Sequence, residues 1–193
     1  MASVRSSWNE RHTERRTATR PAAFLADREY LLPAGGRALD VAGGAGRHAV
    51  WLARRGFEVT LVDIADVALA RAEAAAAEAP VPLTTVQADL SCDPLPAGDF
   101  AVIVVHDYLD RDVWSALPAS LGPGGVLFAC QPTVRNLERH PRPSARWLLD
   151  EGEIGTLAQV VVDADPALQV VEVTEGWTEE GRHEARLVLR RRR

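Results

Sequence analysis

The sequence predicts an α/β protein: a doubly wound, mostly parallel seven-stranded sheet finished by an antiparallel C-terminal hairpin. Three observations predict it. Apolar, strand-like runs alternate with helix-length segments from residue 37 to residue 160. One of those runs, Phe100 to Val105, is apolar without interruption, the pattern of a strand buried on both faces. Two alternating segments, Leu168 to Thr174 and His183 to Arg190, flank Glu175 to Gly181 and read as a hairpin.

Each element has a local reason. The first thirty residues are polar, with Trp8, Phe24, Leu25 and Leu31 as apolar anchors. They predict a helical extension, residues 1–32, that covers the site of a main domain at 33–193. Pro33-Ala-Gly-Gly36 is a turn. Strand one runs from Arg37 to Ala42 and helix one from Ala45 to Arg55, where Gly56 ends it. Strand two follows from Glu58 to Ile64. An alanine-rich helix from Asp66 to Ala79 stops at Pro80. Strand three spans Leu83 to Ala88 and strand four Phe100 to Val105. A helix over Arg111 to Leu121 breaks near Pro118, and Asp107 is expected to cap it. Strand five spans Gly125 to Cys130, a helix follows over Trp147 to Val160, and the hairpin adds an antiparallel edge.

Composition narrows the function. The 193 residues, 47% of them hydrophobic, suit one packed domain. No apolar run has the length of a membrane span, and the N-terminus lacks the apolar core of a secretory signal. Glu10 and Glu14 argue against a transit peptide. A cytoplasmic protein with no membrane partner is expected. A net charge of −5 speaks against a nucleic-acid partner, and the basic run Arg190 to Arg193 is short. Cys92 and Cys130 are too few for a disulfide framework and have no metal-ligand company in sequence. All 22 basic residues are arginine, so P-loop and Schiff-base lysine chemistry are excluded.

The stretch Ala38-Leu-Asp-Val-Ala-Gly-Gly-Ala-Gly-Arg-His-Ala49 carries the chemistry. An apolar run holding an acid breaks into a glycine-rich turn and then a helix. Glycines admit close backbone approach, and free helix N–H groups supply donors. Asp63, about 20 residues on, is placed for a ribose hydroxyl pair. An adenosine cofactor follows. Gly44-Ala-Gly46-Arg-His-Ala49 fits the dinucleotide fingerprint, which keeps a nicotinamide-dependent oxidoreductase open. In doubly wound sheets ligands sit beyond the carboxyl ends of the strands. The residues there are Gly43 to Gly46, Asp63 and Ile64, Asp89 and Leu90, His106 to Tyr108, and Gln131 to Thr133.

Taken in order, these positions resemble a class I S-adenosylmethionine-dependent methyltransferase. Its first motif, (D/E)-x-G-x-G-x-G, falls on Asp40, Ala42, Gly44 and Gly46, with alanine in place of the first glycine. Asp63 matches the ribose acid, Ala88-Asp89-Leu90 the acid near the adenine, and Leu121-Gly-Pro-Gly-Gly125 the turn before strand five. Trp8-Asn-Glu-Arg-His12 and Val105-His-Asp-Tyr-Leu-Asp-Arg111 resemble segments of small bacterial methyltransferases of the tellurite-resistance type. The resemblance implies S-adenosylmethionine as cofactor, held by Asp40, Ala42, Gly43, Gly44, Gly46, Asp63, Ile64, Asp89, Leu90 and His106. It implies methyl transfer to a small-molecule acceptor, or a non-catalytic protein that binds the cofactor. His106 is the candidate base or a cofactor contact, and Tyr108 a candidate aromatic wall or core residue. Arg135, Arg142 and Arg146 follow strand five and suit an anionic acceptor, with Trp8 and Arg11 closing from the N-terminal side. Aligning nucleophile, carbon and sulfur is the protein's main task.

Overall fold

The computed structural model describes residues 4–14 and 18–193. The N-terminal part holds helix α1 (Val4–Glu14), the short helix α2 (Ala23–Ala26) and a 3-10 turn at Glu29–Leu31. The alternating part is β1 (Gly36–Val41), α3 (Arg47–Ala53), β2 (Phe57–Asp63), α4 (Asp66–Glu78), β3 (Thr84–Gln87), β4 (Phe100–His106), α5 (Arg111–Ala116), β5 (Leu121–Pro132) and α6 (Glu153–Ala164). The hairpin is β6 (Leu168–Trp177) and β7 (His183–Arg191). The seven strands lie in the order β3-β2-β1-β4-β5-β7-β6, with β7 antiparallel to both neighbours. The order reverses between β1 and β4, which opens a crevice beyond their carboxyl ends. No helix among the described residues is long and apolar enough to cross a membrane.

Two apolar layers sandwich the sheet. Leu39, Ile103, Val105, Trp114, Leu127, Ile154 and Leu187 pack on the side of α5 and α6. Leu52, Leu61, Val104, Phe128 and Val188 pack on the side of α3 and α4. Phe24 and Leu25 belong to this second layer, and Phe24 meets Phe128 edge to face at 6.1 Å. The segment from Ala22 to Leu32 runs across this face. It is held by the Ala22 amide on His48 Nε2 (3.3 Å), by Arg28 on Glu172, and by Arg190 on the Leu31 carbonyl (2.7 Å). Helix α1 differs: it buries no residue, so the expected anchor Trp8 is not one.

Three elements depart from the sequence expectation, each for a local reason. β5 begins at Leu121, because Leu121 already pairs with Phe100 and the Gly-Pro-Gly turn is absorbed as an irregularity in the ladder. α6 begins at Glu153 rather than near Trp147. The Glu153 carboxylate accepts the Asp150 amide (2.8 Å), and left-handed Gly152 (φ 73°) stands at the N-cap, so the turn at 150–152 restarts the chain there. Helix α5 is capped by Asp110, whose Oδ1 accepts the amides of Asp112 (3.0 Å) and Val113 (3.1 Å), so Asp107 is left for another purpose. The hairpin forms the expected antiparallel edge, joining the sheet through β7 and leaving β6 outermost.

Candidate active site

The glycine loop leaves β1 through backbone that favours glycine. Ala42 (φ 50°), Gly44 (φ 56°) and Gly46 (φ 81°) are all left-handed. At Gly46 a side chain would also collide with Ala72 of α4, whose Cβ would lie 2.8 Å away. At Gly43 it would lie 2.7 Å from the Asp40 carboxylate. Asp40 is buried, and its Oδ2 accepts the Ala49 amide at 3.0 Å. It thereby serves the first turn of α3, which Gly46 cannot cap by side chain. Its Oδ1 has no hydrogen-bond partner, and the nearest cation candidate is His48 Nδ1 at 3.8 Å. Burial lowers the affinity of His48 for a second proton, so it is neutral at pH 7.

Asp63 ends β2 beside this loop. Its two oxygens accept the amides of Gly44 and Ala65, each at 2.9 Å. Burial pushes its carboxyl above the usual range, against the pull of those two amides. Ile64 is half-buried, and its carbonyl accepts the Gln87 side chain at 3.2 Å. Asp89, beyond β3, accepts the Ser91 hydroxyl at 2.6 Å, while Leu90 packs against the core. The loop, Asp63, Ile64, Asp89 and Leu90 thus share the carboxyl edge of β1, β2 and β3. The left-handed turn presents backbone without a wall of side chains and sets a carboxylate at its rim. Those features fit an adenosyl cofactor.

A second group sits at the ends of β4, β5 and β7. Register puts His106 opposite Cys130, and Cys130 opposite Arg186, on one face of the sheet. The His106 side chain is 5% exposed and its ring lies 5.2 Å from that of His48. Arg47, the first residue of α3, approaches His106 Nδ1 at 3.2 Å. Asp107 approaches the same atom at 3.4 Å. Asp107 is left-handed (φ 61°), held by its amide on the Cys130 carbonyl at 3.0 Å, and gripped by both terminal nitrogens of Arg182. Burial alone would raise its carboxyl, but His106 and then Arg182 outweigh that and hold it far below the usual carboxylate range. Glu184 accepts from Arg182 at 3.3 Å, from Arg186 at 2.9 Å and from the Cys130 thiol at 3.4 Å.

His106, Cys130 and Glu184 place ligand atoms within 4.8 Å of one another, close enough for a metal ion. Glu184 is already neutralised by two guanidiniums, and burial pushes the Cys130 thiol well up, so the surroundings favour a held proton over a divalent cation. Tyr108 is half-buried. Burial first, then the charges of Asp110, Asp89 and Asp63, push its phenol up to about 12, so it remains a hydroxyl donor at neutral pH.

The expected acceptor residues are dispersed. Arg135 pairs with Glu138 at 2.9 Å, Arg146 stacks on Trp147 at 4.8 Å, and Arg142 is exposed. Their segment leans on the β6–β7 hairpin through Arg139 over the Trp177 ring (3.8 Å) and His140 on the Gly181 carbonyl (2.9 Å). On the other side, Arg11 stacks over Trp8 at 4.8 Å within α1. Asn9 fastens α1 to the start of α4 through Asp66 (2.6 Å) and the Val67 amide (3.3 Å). This sets the His12 ring over Gly44, where a Cβ would lie 3.2 Å from it. Sequence reasoning missed Arg47, Arg182, Glu184 and Arg186. Arg47 was visible beside the glycines, whereas the other three depend on the register of β7 against β5.

Residues 38–125 match the family described as a methyltransferase domain. No curated protein matches the sequence. Among solved structures, TehB from Haemophilus influenzae superposes with a TM-score of 0.69 at 15% identity, over 98% of this chain and 67% of that one. A TehB-like S-adenosylmethionine-dependent methyltransferase from Corynebacterium glutamicum gives 0.63 at 19% identity, over 88% and 87%. A protein studied in the conversion of a disulfide bond into a thioacetal group during echinomycin biosynthesis gives 0.67 at 18% identity, over 98% and 93%. The structural likenesses establish the fold, and the matched domain covers the glycine loop through the Gly-Pro-Gly turn of β5. With the glycine loop, Asp63 and the strand order already in place, residues 38–125 match a methyltransferase domain and the whole chain has the fold of S-adenosylmethionine-dependent methyltransferases, with TehB-like structural relatives.

Proposed function

We propose that this methyltransferase acts on a small, weakly acidic acceptor that reacts as an anion, presented beside His106. The observation that supports this most is the grouping at the carboxyl ends of β4 and β5 and the start of β7: Arg47 on His106, Arg182 on Asp107 and Arg186 on Glu184. Three guanidiniums stand against the carboxylates of Asp107 and Glu184; the cofactor's carboxylate takes up the charge of Arg47 and its sulfonium restores it, so the loaded site keeps a positive excess that favours an anion. The bound cofactor supplies a methyl group on a sulfonium sulfur. In this reading Ala42, Gly43, Gly44 and Gly46 cradle it, Asp40 shapes the loop, Asp63 receives the ribose, and Ile64, Asp89 and Leu90 flank the adenine. His106 takes the acceptor's proton, and Tyr108 walls the site with its hydroxyl protonated. Helix α1 covers the cleft, with Trp8 and Arg11 on one side and Arg135, Arg142 and Arg146 on the far rim.

Two measurements test the reading. Calorimetry should record binding of S-adenosylhomocysteine and no binding of NAD. A screen of thiols, carboxylates and oxyanions with methyl-labelled cofactor should then find an acceptor that His106→Gln handles far more slowly. NAD binding without an adenosyl response overturns the cofactor assignment. Turnover confined to neutral or cationic acceptors overturns the acceptor class.

A further inference from the structure

Arg47 and Asp107 make incompatible demands on one atom. A guanidinium can only donate, so the 3.2 Å contact from Arg47 Nη2 requires a lone pair on His106 Nδ1 and leaves the ring proton on Nε2. A carboxylate can only accept, so the 3.4 Å approach of Asp107 Oδ2 asks for a proton on that same Nδ1. A histidine with its proton on Nε2 cannot take a proton there. With its proton on Nδ1, it presents a basic Nε2.

We propose that Arg47 and Asp107 are rival positioning residues for His106, and that the cofactor's carboxylate draws Arg47 away and hands Nδ1 to Asp107, arming the base only when cofactor is present. The inference rests on the methyltransferase reading of the same site. Asp107 is built to wait. Its left-handed backbone is fixed by its amide on Cys130, and its carboxylate is fixed by Arg182, which Glu184 holds from behind. Arg47 is the movable member. It directly follows the glycine loop, it is half-buried, and its contact is to a neutral ring nitrogen. A carboxylate is a stronger partner for a guanidinium than an imidazole nitrogen is.

The tautomer of His106 is readable without any acceptor, by nitrogen chemical shifts of histidine-labelled protein, with His106→Gln assigning the signal. The free protein should show the proton on Nε2, and saturation with S-adenosylhomocysteine should move it to Nδ1. Asp107→Gly suits the left-handed backbone and removes only the carboxylate. It should leave the proton on Nε2 in both states. Arg47→Ala should show Nδ1–H in both states and bind S-adenosylhomocysteine about tenfold more weakly, the loss of one charge-assisted contact. An unmoved tautomer, or an imidazolium in both states, in protein that calorimetry shows to be loaded overturns the switch alone. Absence of S-adenosylhomocysteine binding overturns the cofactor reading, and the switch falls with it.

Discussion

Ala42 stands where the family motif has glycine, and its backbone is left-handed like that of Gly44 and Gly46. An L-residue there gives up roughly 1–2 kcal/mol, and glycine returns roughly 0.5–1 kcal/mol of that through unfolded-state entropy. Ala42→Gly should therefore stabilise the protein by about 0.5–1 kcal/mol in urea unfolding, with S-adenosylhomocysteine affinity kept. A destabilised variant would show that the methyl group packs usefully in the loop. The meeting of the glycine loop with Asp63 at the carboxyl edge of β1 and β2 was legible, because the succession of strand, loop, helix and strand in the sequence places them. Arg182, Glu184 and Arg186 were not, since their meeting with His106 depends on which strand lies beside β5. Asp107 was misjudged for a related reason: two acids precede α5, and only geometry assigns the cap to Asp110.

Asp110 makes a clean test at the scale of an element. Asp110→Ala should cost about 1 kcal/mol, the usual loss on removing an N-cap. A neutral outcome would mean that the tertiary packing of Val113 and Trp114 alone holds α5. Helix α1 invites a different measurement. It buries no side chain and is fastened by Asn9 to α4 and by the Arg71 guanidinium on the Thr13 carbonyl at 3.2 Å. Its amides should exchange with solvent far faster than those of β1 and β4, by roughly the several kcal/mol that separate local from global opening. Protection of α1 equal to the central strands would contradict this. Element identity was legible throughout the alternating region because period and punctuation agreed. The boundaries of β5 and α6 were not, because ladder pairing with Phe100 and a capping contact from Glu153 set them.

Acid should test the molecule as a whole. Asp107, Glu153 and Glu172 all have carboxyls held below their ordinary values, the last two chiefly by hydrogen bonds from Arg111 and Arg28. Groups depressed on folding contribute stability that is present above the ordinary carboxylate range and lost as pH falls toward their folded values. Asp63 runs the other way, since burial raises it and its cost disappears in acid. The depressed set is larger, so urea midpoints should fall steadily below about pH 5. Asp107→Asn should flatten that slope, and a wild-type midpoint constant from pH 7 to about pH 3.5 would refute it.

The strand order has a consequence for how the molecule comes into being. β7 sits between β5 and β6, although both precede it in sequence. Until β7 arrives, β6 has no neighbour to join, and the inner edge of β5 offers Leu127 and Ala129 to any passing strand. A nascent chain that has emitted residues up to Trp177 therefore carries two open edges at once. The same late strand delivers Glu184 to His106, with Arg186 held on Glu184, so the aggregation-prone interval of synthesis ends at the step that completes this end of the site.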